Sequence, residues 1–393
     1  MAKKKTKSKK PTKRSAKPAA RKGKPAARTA KKAPARQRSL PALESQIRQL
    51  DRDLLGLLNQ RARLNLKIGK LRKQGQQPPF TLGQEEEALA RLASLNRGPL
   101  ASRCVRAVFR ELVSGCRSLV RDLRIAFLGP EYSYSHLAAI HRFGQSVQFA
   151  PVDTIAAVFE EVNRGHCDFG IVPIENSTDG RIADTLDMFT RLPVRICGEV
   201  ELQIHHALLG KCPRLEIREV YSKPQALSQC RNWLAKHLPA ARTIEVTSTS
   251  TAAQLASEKP GAAAIASLQA GVHFGLDVLA ERIEDNPTNT TRFTVIGDQS
   301  AERTGNDRTA MMFQVEHQPG ALADALGIFR RNRLNLTWIE SFPIPGSERA
   351  YLFFVEMEGH ETDAAVRRAT AALEKRTLRL EILGSCPVAA PGE

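Results

Sequence analysis

The stretch FGIVPIENSTDG, Phe169 to Gly180, decides how the middle of the chain is read. FGIVPI has the apolar character of a buried strand, and it stops at Glu175, Asn176, Ser177 and Thr178, four side chains that all carry oxygen. In an open α/β sheet, ligands bind in the crevice beyond the carboxyl ends of the strands, which is where these groups fall. RIAFLG, SVQFA, TIEVTS, AAAIAS and RFTVIG read as further strands between Leu123 and Gly297, separated by helical stretches such as PQALSQCRNWLAKHL and STAAQLASEK. Residues 123 to 300 therefore read as an α/β domain.

The flanks follow other periods. From 40 to 121 the spacing is helical: Ile47, Leu50, Leu54, Leu57, Leu58, Leu64, Ile68 and Leu71 recur along one helix that runs up to GQQPP at residues 75 to 79. About 30 residues at 1.5 Å each give a rod of about 45 Å. Two shorter helices follow, roughly 84 to 95 and 101 to 120, too short to cover the long stripe, so an intertwined homodimer is the physical expectation. After the linker SAERTGNDR, residues 308 to 386 alternate strand, helix, strand, strand, helix, strand, the ferredoxin-like split motif of an α+β unit.

Net charge is +18, but 17 Lys and Arg and no acid lie in residues 1 to 38, which leaves +1 for the rest. Residues 1 to 39, with almost nothing apolar larger than Ala, read as a disordered basic tail. Such a tail contacts nucleic acid through phosphates without sequence preference; it has no aromatic to stack on bases, and a solvated tail is the plainer reading. It lacks the apolar core of a secretory signal, and no run of about 18 apolar residues suits a bilayer. Seven cysteines without a CxxC or Cys/His cluster read as reduced thiols with no metal site, and the expected compartment is cytoplasmic.

Five motifs in register make the reading specific: GPEYSYSHLAA (129 to 139), VPIENSTDG (172 to 180), YSKPQALSQCRNWL (221 to 234), TSTSTAAQLA (247 to 256) and NPTNTTRF (286 to 293). Their order and spacing resemble prephenate dehydratase. The helical part looks like the chorismate mutase domain of bifunctional P-proteins, and the last unit is similar to their ACT domain. The resemblance implies a two-lobed, periplasmic-binding-protein-like dehydratase domain that removes water and CO2 from prephenate to give phenylpyruvate, without metal or organic cofactor. Prephenate carries two carboxylates and a ring hydroxyl, so the site needs donors for the carboxylates and a proton donor for the hydroxyl.

Thr291, Arg292 and Phe293 offer a hydroxyl, a bidentate cation and an apolar wall. In a regular strand Thr291 and Phe293 share a face and Arg292 points to the other. The resemblance implies that Thr291 is catalytic, that Arg292 anchors substrate, and that Asn176, Ser177 and Thr178 belong to the site. Glu175 is either a general acid or a partner fixing the loop. The helix expected after ENST, and the one opened by Ser248, Ser250 and Thr251, offer N-termini to a carboxylate; those hydroxyls serve equally as caps. His205 and His206 fit a strand with one side chain exposed and one in the core. Departures from the family pattern are Tyr132, Ser133 and Tyr134 where glycine and threonine-phenylalanine are usual, and Lys223 in place of a frequent histidine. Ser133 keeps the hydroxyl.

GALADAL (320 to 326) and IESFP (339 to 343) resemble the ACT motifs that bind phenylalanine in relatives. They imply an aromatic amino acid effector, phenylalanine first, near Gly320, Ala321, Leu322, Glu340 and Ser341, or else a dimerisation module; Phe342 replaces the family arginine. In the helical part, alignment on QLDRDLL keeps Arg61 and Glu85 and places Arg72 where the family uses lysine. Glu44, Gln84 and Val120 replace an arginine, an arginine and a glutamine or glutamate. An anion at 44 beside a substrate carboxylate repels it, with Arg48 one turn away as partial compensation. Little or no mutase activity is therefore expected, the alternative being a fully bifunctional enzyme. Arogenate dehydratase, a solute-binding protein and a nucleic-acid-tethered regulator are the competing functions.

Overall fold

The computed structural model describes residues 39–76, 81–344 and 350–389, so the reading of the basic tail lies outside the described residues. Helix Leu40–Gln74 runs through both of the glycines in its apolar pattern. Gly69 is required by close approach: a Cβ there stands 2.5 Å from Cγ1 of Val120. Leu50, Leu54, Leu57, Leu64 and Leu71 each leave more than half of their surface exposed, and an apolar face of that extent marks an interaction surface. Among the described residues no helix is long and apolar enough to cross a membrane.

Helices Leu82–Leu95 and Ser102–Ser118 follow. Leu82 is buried in the same cluster as Leu123, Ile125, Phe127 and Phe143. Buried Arg117 donates to Glu85 at 2.7 Å and to the Phe143 carbonyl at 2.6 Å. These helices thus share an apolar core and an ion pair with the α/β part.

The α/β part forms two lobes. The sheet of the first contains Arg195–Gln203, Thr290–Gly297, Phe169–Asn176, Arg124–Leu128 and Gln148–Val152, in that order. Alternation along these strands sends Ile125, Phe127, Ile171, Phe293 and Val295 into one apolar layer. Ala126, Val172, Ile174, Ile196 and Ile296 enter the other. The second sheet runs Asp277–Ala280, Ala207–Gly210, Ala262–Ala266, Glu219–Ser222, Arg242–Glu245. The chain crosses between lobes after Gln203 and before Thr290, and the crossings bond to each other. Ile204 N–H donates to the Asn289 carbonyl at 2.8 Å and Ile283 N–H to the His206 carbonyl at 2.9 Å.

Strand Arg195–Gln203 has no counterpart in the sequence reading. Glu199 and Glu201 interrupt its apolar run because that stretch faces cations as well as core: Glu199 pairs with Arg308 at 3.2 Å. His205 and His206 precede strand Ala207–Gly210 rather than lying within it.

Strands Asp307–Gln314, Leu336–Pro343, Tyr351–Glu358 and Arg379–Pro387 alternate with helices Ala321–Arg331 and Ala364–Glu374 in βαββαβ order. Their antiparallel sheet continues the first-lobe sheet through one register pair, Gly384 beside Ile196. Gly384 sits at φ 140°, and a Cβ there would stand 2.2 Å from the Ile196 carbonyl oxygen. Gly384→Ala is therefore expected to lower stability by about 2–4 kcal/mol through strain and overpacking, read as a lower urea midpoint; an unchanged midpoint contradicts the tight junction.

Candidate active site

The site is set by the pairing of Phe169–Asn176 with Thr290–Gly297, whose antiparallel register places Asn176 opposite Thr291 and Glu175 opposite Arg292. Asn176 is buried. Its Oδ1 accepts from the backbone N–H of Thr178 at 2.9 Å and of Asp179 at 3.0 Å. Two backbone donors on one end of the amide fix which end is oxygen. Nδ2 then donates to Thr291 Oγ1 at 2.8 Å and to Asn289 Oδ1 at 3.1 Å. Since the Thr291 oxygen accepts from Asn176, its own proton is free to be donated elsewhere.

Ser177 and Thr178 complete the turn. The Ser177 hydroxyl accepts from Thr290 N–H at 2.9 Å, and the Thr178 hydroxyl donates to Asn289 Oδ1 at 3.2 Å. The helix expected over IADTLDMFTRL forms, a few residues beyond this turn. The short strand Gly180–Arg181 first pairs back on Glu175 and Asn176, and helix Ala183–Arg191 begins after it.

Asn289 and Gln229 were not singled out in the sequence, although NPTNTTRF and YSKPQALSQC contain them. Asn289 Nδ2 donates to Gln229 Oε1 at 3.0 Å, and His206 Nε2 meets the same oxygen at 3.0 Å. Burial lowers the pKa of His206, favouring the neutral ring. Gln229 belongs to the second lobe and also donates to Asp179 at 3.3 Å, so the network spans both lobes. His205 pairs with buried Glu284 at 2.7 Å, which also accepts from His206 N–H at 2.9 Å.

Of the other hydroxyls, Ser133 and Ser248 cap helices, whereas Ser250 does not. Ser133 accepts from His136 N–H at 3.3 Å at the start of helix Tyr134–Phe143 and donates to the Leu128 carbonyl at 3.0 Å. Ser248 accepts from Thr251 N–H at 2.9 Å and lies 2.8 Å from the Thr251 hydroxyl, at the start of helix Thr249–Glu258. Ser250 is buried and donates to the Glu131 carbonyl at 2.5 Å, across the lobes.

Arg292 and Phe293 stand differently from the reading that grouped them with Thr291. Phe293 is enclosed in the apolar layer of the first lobe and offers no free wall. Strand alternation turns Arg292 to the opposite face, where it grips Glu356 through both terminal nitrogens, at 2.7 and 3.1 Å. Glu175 lies 3.3 Å and Glu199 3.6 Å from it, and its guanidinium carbon stands 5.0 Å over the Trp338 ring. Glu175 is thus a partner of Arg292, directed away from Thr291. Arg308 joins the cluster through Glu199 and Glu356. Burial pushes the Glu356 carboxyl up to about 6, with Arg292 opposing the rise and Glu199 adding to it. The three glutamates outweigh the burial that opposes charge on Arg292 and hold its pKa above the ordinary value.

The remaining expected residues take no part in the hydrogen bonds of the Thr291 network. Gly320, at φ 88°, precedes helix Ala321–Arg331, which carries Ala321 and Leu322. Glu340 and Ser341 lie on the edge strand Leu336–Pro343, where Arg181 donates to the Glu340 carboxylate at 3.0 Å and to the Ser341 carbonyl at 2.9 Å. In the helical part, Arg72 donates to Gln84 at 2.8 Å and Glu85 is held by Arg117. Arg61 has a buried terminal nitrogen without a hydrogen-bond partner among the described residues.

Residues 125–301 match the family model for prephenate dehydratase, and residues 43–121 match that for chorismate mutase type II. The bifunctional chorismate mutase/prephenate dehydratase of Aquifex aeolicus is 38% identical over 349 residues, covering 88% of this chain and 96% of the relative. Its namesake from Pseudomonas aeruginosa is 38% identical over 351 residues, with 88% and 96% covered. A solved prephenate dehydratase from Arthrobacter aurescens, in complex with L-Phe, is 33% identical with a TM-score of 0.64, covering 69% of this chain and 92% of that one. The helical region, the dehydratase domain and the length of the match together place the chain in the bifunctional chorismate mutase/prephenate dehydratase family.

Proposed function

We propose that prephenate is bound between the two lobes and that Thr291 donates the proton to its departing ring hydroxyl. The carboxylate attached to the ring leaves as CO2, the electrons of that C–C bond aromatise the ring, and the hydroxyl leaves as water with the proton from Thr291, which is then restored from solvent. The observation that carries this reading is the 2.8 Å bond from Asn176 Nδ2 to Thr291 Oγ1. With Arg292 committed to glutamates, hydroxyls and N–H groups around Ser133, Ser177, Thr178, Ser248 and Thr251 take the substrate's carboxylates, in a dehydratase of the cytoplasm. Arogenate, with an amino group for the keto oxygen, fits the same donors and is to be assayed beside prephenate.

The helical part serves as a dimerisation element with little mutase turnover. Glu44, Gln84 and Val120 stand where cations and a polar side chain are wanted, and Glu85 is engaged by Arg117. The C-terminal unit is a ferredoxin-like ACT domain that binds phenylalanine at an interface between subunits of the homodimer. The GAL and ESFP stretches and the L-Phe in the Arthrobacter relative support this.

Thr291→Val is expected to lower turnover at least ~10²-fold with folding intact, the scale of a lost proton donor. Arg292→Leu, by contrast, is expected to cost about 3–5 kcal/mol of stability by stranding buried Glu356. Product absorbance and denaturant unfolding separate the two, and a stable Arg292→Leu variant defective only in substrate binding returns Arg292 to the substrate. Full-length protein given chorismate is expected to turn over far below the usual enzyme range of about 1–10³ per second; a rate within it makes this a working bifunctional enzyme. Titration calorimetry is expected to show heat for phenylalanine at millimolar concentration or below, and silence for all three aromatic amino acids leaves the C-terminal unit a purely structural module.

A further inference from the structure

Two neighbouring residues of the first lobe, Glu131 and Tyr132, reach the second lobe outside the Thr291 network. The Glu131 carbonyl takes the Ser250 hydroxyl. The Tyr132 ring stacks on His273, with centroids 4.0 Å apart and planes at 22°, and packs against the apolar core of the second lobe. His273 is carried by helix Leu268–Phe274. This contact lies one residue from Ser133, and Ser250 reaches Glu131 from the other lobe, so it bears on the spacing between the starts of helices Tyr134–Phe143 and Thr249–Glu258.

Tyr132 makes the contact from an unfavourable backbone. Its φ is 63°, a left-handed conformation that glycine adopts freely and a bulky side chain resists. The turn is held from within the first lobe, because Tyr132 N–H donates to His136 Nδ1 at 2.9 Å and the His136 ring is stacked on Phe127 at 4.7 Å. A glycine satisfies such a turn without strain, yet a tyrosine stands there, and its ring is spent on the opposite lobe. Strain of this kind persists where the surroundings over-determine it, commonly at functional sites.

We propose that Tyr132 and His273 form a clamp across the cleft that biases the lobes toward closure and sets Ser133 and Thr291 against Ser248 and Thr251. Tyr132 is on this account a positioning residue, and the assignment rests on the cleft being the dehydratase site. A clamp that favours the closed state tightens substrate binding and slows release of product. An aromatic pair is strong enough to shift that equilibrium about 2- to 12-fold.

The test uses the full chain with Tyr132→Gly, Tyr132→Phe and His273→Ala, plus the Tyr132→Gly/His273→Ala double variant. Glycine keeps the turn, so Tyr132→Gly folds. The expected result is a KM for prephenate about 2- to 12-fold higher in Tyr132→Gly and His273→Ala, a kcat that does not fall, and no further rise in the double variant. Tyr132→Phe, which keeps the stack, restores the wild-type KM. Hydrogen exchange, followed without substrate, is expected to quicken at residues 129–133 and 268–274 in both single variants, while the global melting temperature stays within a few degrees. Unchanged KM and exchange, a loss confined to kcat, or a defect that Tyr132→Phe shares overturns the clamp. Faster exchange without any effect on KM separates the failures: the lobes are clamped, but their cleft is not where prephenate binds, and the positioning role is overturned.

Discussion

One antiparallel pairing organises the dehydratase part: Phe169–Asn176 against Thr290–Gly297, in the register that sets Asn176 beside Thr291. The second of these strands returns directly from the second lobe, so its first residues lie where the lobes meet. A side chain in a strand alternates between faces, and that rule fixes three neighbours at once. Thr291 joins the Asn176 network, Phe293 enters the apolar layer, and Arg292 crosses to the face that meets the C-terminal unit. A slip by one residue would exchange all three.

The same register ties the C-terminal unit to the site by short routes. Arg292, adjacent to Thr291, is held by Glu356 and covers Trp338. Arg181, whose backbone pairs with Glu175, is bound to Glu340 and Ser341. The ion cluster is costly to bury, and three carboxylates around two guanidiniums leave it sensitive to the loss of any member. Gly384 closes the junction on the backbone itself. A displacement of the edge strand Leu336–Pro343 would therefore reach the chain neighbours of Asn176 and Thr291 through Arg181 and Arg292.

Much of this was legible in the sequence, and the misses have physical causes. FGIVPI formed a strand, which runs two residues past its apolar run to Asn176, and ENST and TRF marked the two strand ends that meet. The helical spacing from Ile47 to Leu71 emerged as one helix, since neither Gly56 nor Gly69 outweighs so long a stripe. Strand Arg195–Gln203 was hidden because Glu199 in it answers Arg292 and Arg308 from distant segments, a partnership that no local pattern displays. Arg292 reads as a substrate anchor because a cation stands beside Thr291, while the neighbours it pairs with in the fold, Glu175, Glu199 and Glu356, are scattered over about 180 residues of chain. Asn289 and Gln229 were lost among ordinary polar residues, since only the fold shows that their amides face each other.

The proposed chemistry turns on where one proton sits. Neutron diffraction from crystals grown in deuterated solvent locates it directly. The expected map shows the Asn176 amide deuterium directed at Thr291 Oγ1 and the Thr291 hydroxyl deuterium turned away from Asn176. A map in which the Thr291 deuterium points at Asn176 Oδ1, with the amide reversed and its backbone donors unmet, contradicts the assignment of Thr291 as the proton donor.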